Sequence, residues 1–292
     1  GRIRSIHQPA MFQPMFLPPR ENPWIHGVTR VLLPTVADRV ASLRGVQVEP
    51  DDFARLQELQ GPAILAPNHP TGNDPIVMIW LAQRAGRRFH YLAAREALVG
   101  PKGWLLNQLG AYSVIRGVAD RESLRFTRRL LAEEERQVVI FPEGEIYEHN
   151  DKLLSFQSGV AQIGFWALDD REKAGRQGPL PVLPLAIKYR CSQDPRPVIE
   201  SGLAQLERAL KLAPDPALGP YPRLRRIGGR VLESLERDAR LKPKPEDDFD
   251  TRIQALRGVL LSQVAHALAT EVDERQAPQE QLHALFAELR AW

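Results

Sequence analysis

Between Ala63 and Tyr189 short apolar runs alternate with helical patterns, and this alternation restricts the possible folds more than any other feature of the chain. Ala63 to Ala66, Phe89 to Ala93, Tyr112 to Ile115, Val138 to Phe141 and Val182 to Tyr189 each have the length and apolar character of a buried strand. Pro75 opens a helix through Ala85, Ala119 to Gln137 reads as a second helix, and Gly159 to Asp170 as a third. Strands separated by helix-length connections predict an α/β fold: a layered mixed sheet with flanking helices and right-handed crossovers. Upstream, apolar residues recur at helical spacing from Trp24 to Ala41 around Pro34. The segment PDDFARLQEL from Pro50 carries acid in its first turn, so the N-terminal segment is expected to be helical.

Beyond about Glu200 the strand patterns stop, and helices follow between the proline-rich breaks APDPALGPYP and LKPKPEDD. Leu224, Ile227, Val231 and Leu235 share one helical face, as do Ile253, Leu256, Leu260 and Val264, and then Leu282, Leu285 and Leu289. Core burial is the leading expectation for these faces, with partner or membrane binding as the alternative. The expected organisation is an N-terminal arm and helical segment over 1–60, an α/β core over 61–200 and a helical C-terminal extension over 201–292.

Composition narrows the class. The chain has 292 residues, 43% hydrophobic and 26% charged, which is enough to bury a full core and unlike a disordered chain. A single cysteine, Cys191, rules out an intramolecular disulfide framework and a multi-cysteine zinc site, and fits a reducing compartment. The longest strongly apolar stretch, Ile76 to Ala82, is far short of the roughly 20 residues that span a bilayer. Pro9, Pro14, Pro18 and Pro19 break up the N-terminus, so it lacks the continuous apolar core of a secretory signal. It reads as an extended arm whose Met11, Phe12, Met15, Phe16, Leu17 and Trp24 suit peripheral contact with a membrane. The first residue is Gly1, so a targeting or anchoring segment upstream stays open.

The net charge of +3 is small but unevenly placed. From Arg84 to Arg129 there are ten cations and three anions, an excess that suits phosphates or an anionic membrane surface. From Glu200 onward fourteen cations meet fifteen anions, with no such preference. No nucleic-acid reading motif accompanies the basic stretch, so no nucleic-acid partner is expected.

The segment ILAPNHPTGNDP places His69 and Asp74 five residues apart, where an apolar strand gives way to a Pro-initiated helix. In open α/β sheets ligands bind at the carboxyl ends of strands, where loops and helix N-termini converge. A histidine oriented by a carboxylate can take a proton from an attacking hydroxyl, while the carboxylate fixes its tautomer and stabilises the imidazolium. There is no G-x-S-x-G elbow, and Cys191 has no evident base, so no enzyme nucleophile is evident and a substrate hydroxyl is the candidate attacking group. Taken alone the H-x4-D spacing is weak, and a loop histidine is more often a surface residue. Three further blocks give it context: GAYSVIRG, with Gly110 and Arg116 at the ends of a strand; FPEG, with Glu143 and Gly144 after another; and LPLAI, with Pro184 inside the last.

These four blocks, in this order and spacing over roughly Ala63 to Tyr189, resemble the glycerolipid acyltransferase family, which contains the glycerol-3-phosphate and 1-acylglycerol-3-phosphate acyltransferases and lysophospholipid acyltransferases. The resemblance implies transfer of a fatty acyl group from acyl-CoA or acyl carrier protein to a hydroxyl of a glycerol phosphate or lysophospholipid. It also implies a place at the cytoplasmic face of a membrane in phospholipid biosynthesis. By similarity His69 is the base and Asp74 its partner. Asn68, Gly110, Arg116, Glu143, Gly144 and Pro184 fall at substrate-binding positions, with Arg116 on the acceptor's phosphate, a task that suits a delocalised, bidentate cation. No metal is needed, and no cofactor beyond the acyl donor.

Plainer roles stand beside these. Glu143 can hydrogen-bond a turn, and Arg116 can pair with a surface carboxylate. Arg121, Arg125 and Arg128 lie near one helical face, either solvated or meeting phosphates. His149 and Asp151 near Glu143 suggest loop polarity before a metal. Backbone N–H groups at the helix opening near Asp74 to Ile76, or at the Gly144 turn, are candidate oxyanion donors. One departure matters: where the family often continues FPEG with small hydroxyl residues and an arginine, this chain has Glu145, Ile146, Tyr147 and Glu148. Acid near an expected phosphate is unfavourable, which opens two alternatives: a different lipid or amine acceptor, or an inactive lipid-binding protein of the same fold.

Overall fold

The computed structural model describes residues 16–116, 120–215 and 217–271, with 273, 281, 282, 284, 285, 288 and 289 beyond. The chain divides into two compact units, residues 1–190 and 191–292, ten residues before the break expected at 200.

In the first unit five strands form one sheet: β1 (Ala63–Pro67), β2 (Phe89–Ala94), β3 (Ala111–Val114), β4 (Gln137–Val139) and β5 (Val182–Leu185). They lie in the order β3-β2-β4-β1-β5, and every pairing is parallel. The expectation of a mixed sheet is therefore corrected. Each strand is joined to the next through at least one helix, and such crossovers bring the chain back in the same direction. The connections are α3 (Asp74–Arg84), α4 (Gly100–Gln108), α5 (Arg121–Ala132) and α6 (Gly159–Lys173).

Strand progression runs one way through β1, β2 and β3, then reverses through β4 to β5. Two clusters fill the two faces. Leu65, Met78, Leu81, Phe89, Tyr91 and Val139 pack with α3 and α4, and Ile64, Tyr112, Leu130, Val138 and Ala167 with α5 and α6. Ile64 and Leu65 are neighbours in β1 yet face opposite clusters, as the strand period requires. Both are fully buried, so the strand shows a continuous apolar run instead of a polar alternation.

The N-terminal helices are α1 (Pro23–Ala41), whose first N–H groups at Trp24 and Ile25 are capped by Asn22, and α2 (Pro50–Glu58). Ahead of α1, Leu17 exchanges hydrogen bonds with Ser113, at 2.8 and 3.0 Å, and Phe16 packs on Tyr112 and Phe126. These two arm residues are half-buried beside β3; Met11, Phe12 and Met15 lie outside the described residues. Trp24 remains 85% exposed.

α5 is shorter than the expected helix. Asp120 caps it by accepting from Ser123, and Glu135, at φ +52°, turns the chain so that Gln137 can begin β4. α4 and the short 3-10 turn before it, Arg95–Leu98, had no counterpart in the sequence reading.

The second unit contains α7 (Arg196–Ala209), α8 (Pro220–Asp238) and α9 (Phe249–Ala267). Its interior is not the apolar stripe expected. Ile227, Leu232 and Leu256 are buried, while Leu224, Val231, Leu235, Ile253, Leu260 and Val264 are exposed, as are Leu282 and Leu289, with Leu285 buried. Ion pairs occupy the inner positions instead. Glu207 of α7 accepts from Arg223 of α8 at 2.7 and 3.0 Å, and Glu236 of α8 from Arg252 of α9 at 2.6 and 2.8 Å. Among the described residues no helix is long and apolar enough to cross a membrane.

Candidate active site

β1 and β4 are neighbours, but α3 leaves β1 for one face of the sheet and α6 leads away from β4 on the other. Such a divergence opens a crevice at the carboxyl ends of the two strands. The chain after β1 supplies Asn68, His69 and Thr71; the chain after β4 supplies Phe141, Glu143 and Gly144. The two loops are tied together. The His69 N–H donates to Glu143 Oε1 at 2.9 Å, and the His69 ring stacks on Phe141 at 4.0 Å between centroids and 21° between planes.

His69 Nδ1 lies 2.7 Å from Asp74 Oδ2. Asp74 is the first residue of α3 and has no solvent exposure; its charge is accommodated by the positive end of the helix and by four donors. Oδ2 accepts from His69 Nδ1 and, at 3.0 Å, from the Thr71 N–H. Oδ1 accepts from Thr71 Oγ1 at 3.2 Å and from the Tyr189 hydroxyl at 2.6 Å. A carboxylate so placed makes Nδ1 the protonated nitrogen and leaves the lone pair on Nε2. Nε2 has no partner among the described residues, and the His69 side chain is 13% exposed. The arrangement can accept a proton from a group in the crevice.

Residues 45–188 match the acyltransferase family model. This span is an acyltransferase domain of the glycerolipid acyltransferase family. The protein is accordingly an acyltransferase enzyme, and its dyad lies inside the matched span. No curated protein matches the chain.

The other expected site residues of the acyltransferase fall into two groups. Arg116 is exposed just past the carboxyl end of β3, and its Nη1 reaches the Gly144 carbonyl at 3.4 Å, so it stands beside the FPEG loop with most of its donors open. Gly144, at φ +71°, makes the turn that brings this carbonyl round.

Glu143 is fully buried and saturated: besides the His69 N–H it accepts from the Leu154 N–H at 2.6 Å and the Tyr147 hydroxyl at 3.0 Å. Its charge therefore builds the loop, the plainer of its two expected roles. Asn68 is engaged on both sides of its amide by the Ile187 backbone, at 2.6 and 3.0 Å. Pro184 is exposed on edge strand β5, in register with Ala66.

Gly110 is corrected. It precedes Ala111, which is in register with Tyr91, and Tyr91 with Val139 and hence Leu65. In a parallel sheet that puts Gly110 at the amino end, one residue below the row of Leu65, whereas His69 comes four residues above it. Its requirement is steric. Its φ is +98°, and a Cβ there would meet the Phe89 carbonyl oxygen at 2.8 Å.

The Ile76 N–H bonds to Asn73 O at 2.9 Å and the Gly144 N–H to Phe141 O at 3.1 Å, so neither is free to serve as an oxyanion donor. Arg128 of α5 is bound bidentately by Asp170, at 2.6 and 2.7 Å, while Arg121 and Arg125 stay exposed. Asp151 pairs with Lys188 at 2.6 Å, apart from Glu143.

Sequence reasoning missed Thr71, Phe141, Tyr147 and Tyr189 as members of the site. The Tyr147 phenol is pushed up to about 12, chiefly by desolvation and then by its bond to Glu143. Tyr147 was read only as a departure from the family pattern, and Tyr189 only as the end of a strand.

Proposed function

We propose that this acyltransferase moves a fatty acyl group from acyl-CoA or acyl carrier protein to a hydroxyl of a glycerol phosphate or lysophospholipid, with a lysophosphatidate-type acceptor first. The carrying observation is the open Nε2 of His69, set by a buried, fully hydrogen-bonded Asp74 at the carboxyl end of β1, with Arg116 reaching the neighbouring FPEG loop. His69 Nε2 takes the acceptor's hydroxyl proton as that oxygen attacks the thioester carbonyl. The tetrahedral intermediate then collapses, the C–S bond breaks, and the leaving thiolate recovers the proton from the imidazolium. Asp74 holds the ring and offsets its transient charge. Arg116 binds the acceptor's phosphate, its planar fork suiting two oxygens at once.

A second reading, with a less anionic or amine-bearing acceptor, is favoured by Glu145 and Glu148 in the loop that carries Gly144. Peripheral contact with the cytoplasmic face of a membrane is supported by α1, whose Trp24, Val28, Val31 and Leu32 are exposed.

The test is CoA release from acyl-CoAs of several lengths across glycerol-3-phosphate, lysophosphatidate, other lysophospholipids and amine-headed lipids, with His69→Ala in parallel. Product on phosphate-bearing acceptors that vanishes in the variant is the expected result. Product only on amine-headed lipids favours the second reading. No product from any acceptor, with acyl carrier protein as donor too, leaves an inactive lipid-binding protein.

A further inference from the structure

The ladder of β5 ends at Leu185 because its neighbour β1 ends at Pro67. The chain nevertheless stays extended, and two asparagines stand in for the missing strand. Asn68 donates to the Ile187 carbonyl at 3.0 Å and accepts from the Ile187 N–H at 2.6 Å. Asn150 does the same for Tyr189, at 2.9 and 2.7 Å. Each amide thereby supplies the donor–acceptor pair that a ladder would. Residues 183, 185, 187 and 189 keep to the less exposed side of the segment, and the last of them brings its phenol to Asp74 Oδ1 at 2.6 Å.

We propose that Tyr189 is a positioning residue for acyl transfer, whose hydroxyl holds the Asp74 carboxylate with Oδ2 toward His69 and draws charge from it, setting the basicity of His69 Nε2. This rests on the reading of His69 as the base. Asp74 is buried, so a lone pair vacated by Tyr189 finds no water to replace it, and the carboxylate is released to turn about its Cβ–Cγ bond. Thr71 alone then restrains Oδ1, at a longer distance. Burial first, and then the bond to Asp74, push the Tyr189 phenol up, so it stays a donor throughout the enzyme's working range. Tyr147 cannot substitute, since its hydroxyl is committed to Glu143. The ionisable groups around the dyad are Glu143, Tyr147, Glu148 and Tyr189.

The experiment uses the full chain with acyl-CoA and the best acceptor from the survey above. Wild type, His69→Ala, Tyr189→Phe and Asn150→Ala are compared for kcat, KM and the pH profile of kcat, and the His69 imidazole is titrated by NMR without substrate. Tyr189→Phe is expected to lower kcat about 10-fold to 100-fold with KM within about twofold, the range typical of lost supporting contacts around a reactive centre. The acidic limb of its profile and the His69 titration both move to higher pH, because a carboxylate with one donor fewer attracts the imidazole proton more strongly. Asn150→Ala, which keeps the phenol but removes its clamp, shifts both in the same direction by less, and carries the test if Tyr189→Phe does not fold. Unmoved kcat, limb and imidazole titration, in a series where His69→Ala is inactive, overturn the role of Tyr189 alone. Full activity in His69→Ala overturns the base assignment, and the proposal with it.

Discussion

The sheet holds two histidine–carboxylate pairs, one at each end, and they differ in every respect that matters for chemistry. At the carboxyl end His69 and Asp74 are 2.7 Å apart; the carboxylate is the buried partner, it has four donors, and the ring opens to the crevice. At the amino end His90 Nε2 and Glu21 Oε1 are 3.5 Å apart, and here the histidine is the buried partner while the carboxylate is partly exposed. His90 Nδ1 and the nearby His26 Nε2 have no hydrogen-bond partner among the described residues. Desolvation is the largest influence on His90 and His26, and it lowers both below the ordinary histidine value, against the pull of Glu21. The base proposed at His69 is thus set apart from His90 by a fully hydrogen-bonded carboxylate partner and an accessible second nitrogen.

The sharpest way to break this contrast is to remove each histidine in turn. His69→Ala should lower kcat by about 10²-fold to 10⁴-fold, the usual contribution of a positioned base. His90→Phe should leave turnover within about threefold, since no reacting group is near it. Equal losses in the steady-state assay would erase the distinction between the two ends.

Next in size is the carboxylate that ties the loops after β1 and β4 together. Glu143→Ala takes the acceptor from the half-buried His69 and Leu154 N–H groups, at up to about 1–3 kcal/mol each. Its urea-unfolding midpoint should fall accordingly. A smaller loss, about 1–3 kcal/mol in all, is expected for Gly110→Ala at the amino end, from its positive φ and the clash with Phe89. Turnover in the folded fraction of Gly110→Ala should be normal; a selective loss of kcat would return Gly110 to the site.

The smallest effect is the pH dependence of stability. His90 and His26 have folded-state values below the unfolded value of 6.5, so the unfolded chain binds more protons between the two. Their stabilising contribution is complete above pH 6.5 and is lost as the pH falls through the folded-state values. The thermal midpoint should drop from about pH 7.5 to about pH 5.5, and His90→Phe should flatten that slope. An unchanged slope would mean that the amino-end cluster does not sense protons.

The same contrast explains what could be read from the sequence. Strands β1 to β4 were legible because buried parallel strands are mainly apolar runs, and His69 and Asp74 because they flank a single strand-to-helix junction. α4 was not, since Gly100, Gly103 and an unpatterned mix of polar and apolar residues hide it. The direction of the strands was not either, because apolar runs do not report which neighbour they choose. Glu143 and Arg116 were found as residues, but the partners that separate an internal brace from an open cation come from distant segments. Tyr189 carried no local signal at all; only the extended path beyond β5 puts it beside Asp74. In the second unit only part of each expected face is buried, because Glu207, Arg223, Glu236 and Arg252 take inner positions as pairs, which no single-helix pattern can anticipate.

The wide sequence separation around Asp74 has a consequence for synthesis. Tyr189 follows Asp74 by 115 residues, and Ile187 follows Asn68 by 119. At roughly 5–20 residues per second, a ribosome needs on the order of ten seconds to make that stretch. Throughout this interval the nascent chain already carries both His69 and Asp74 but has no edge strand to lay along β1. The proposed dyad is thus made early in the domain, and its hydrogen-bond set is completed only after β5 has been made.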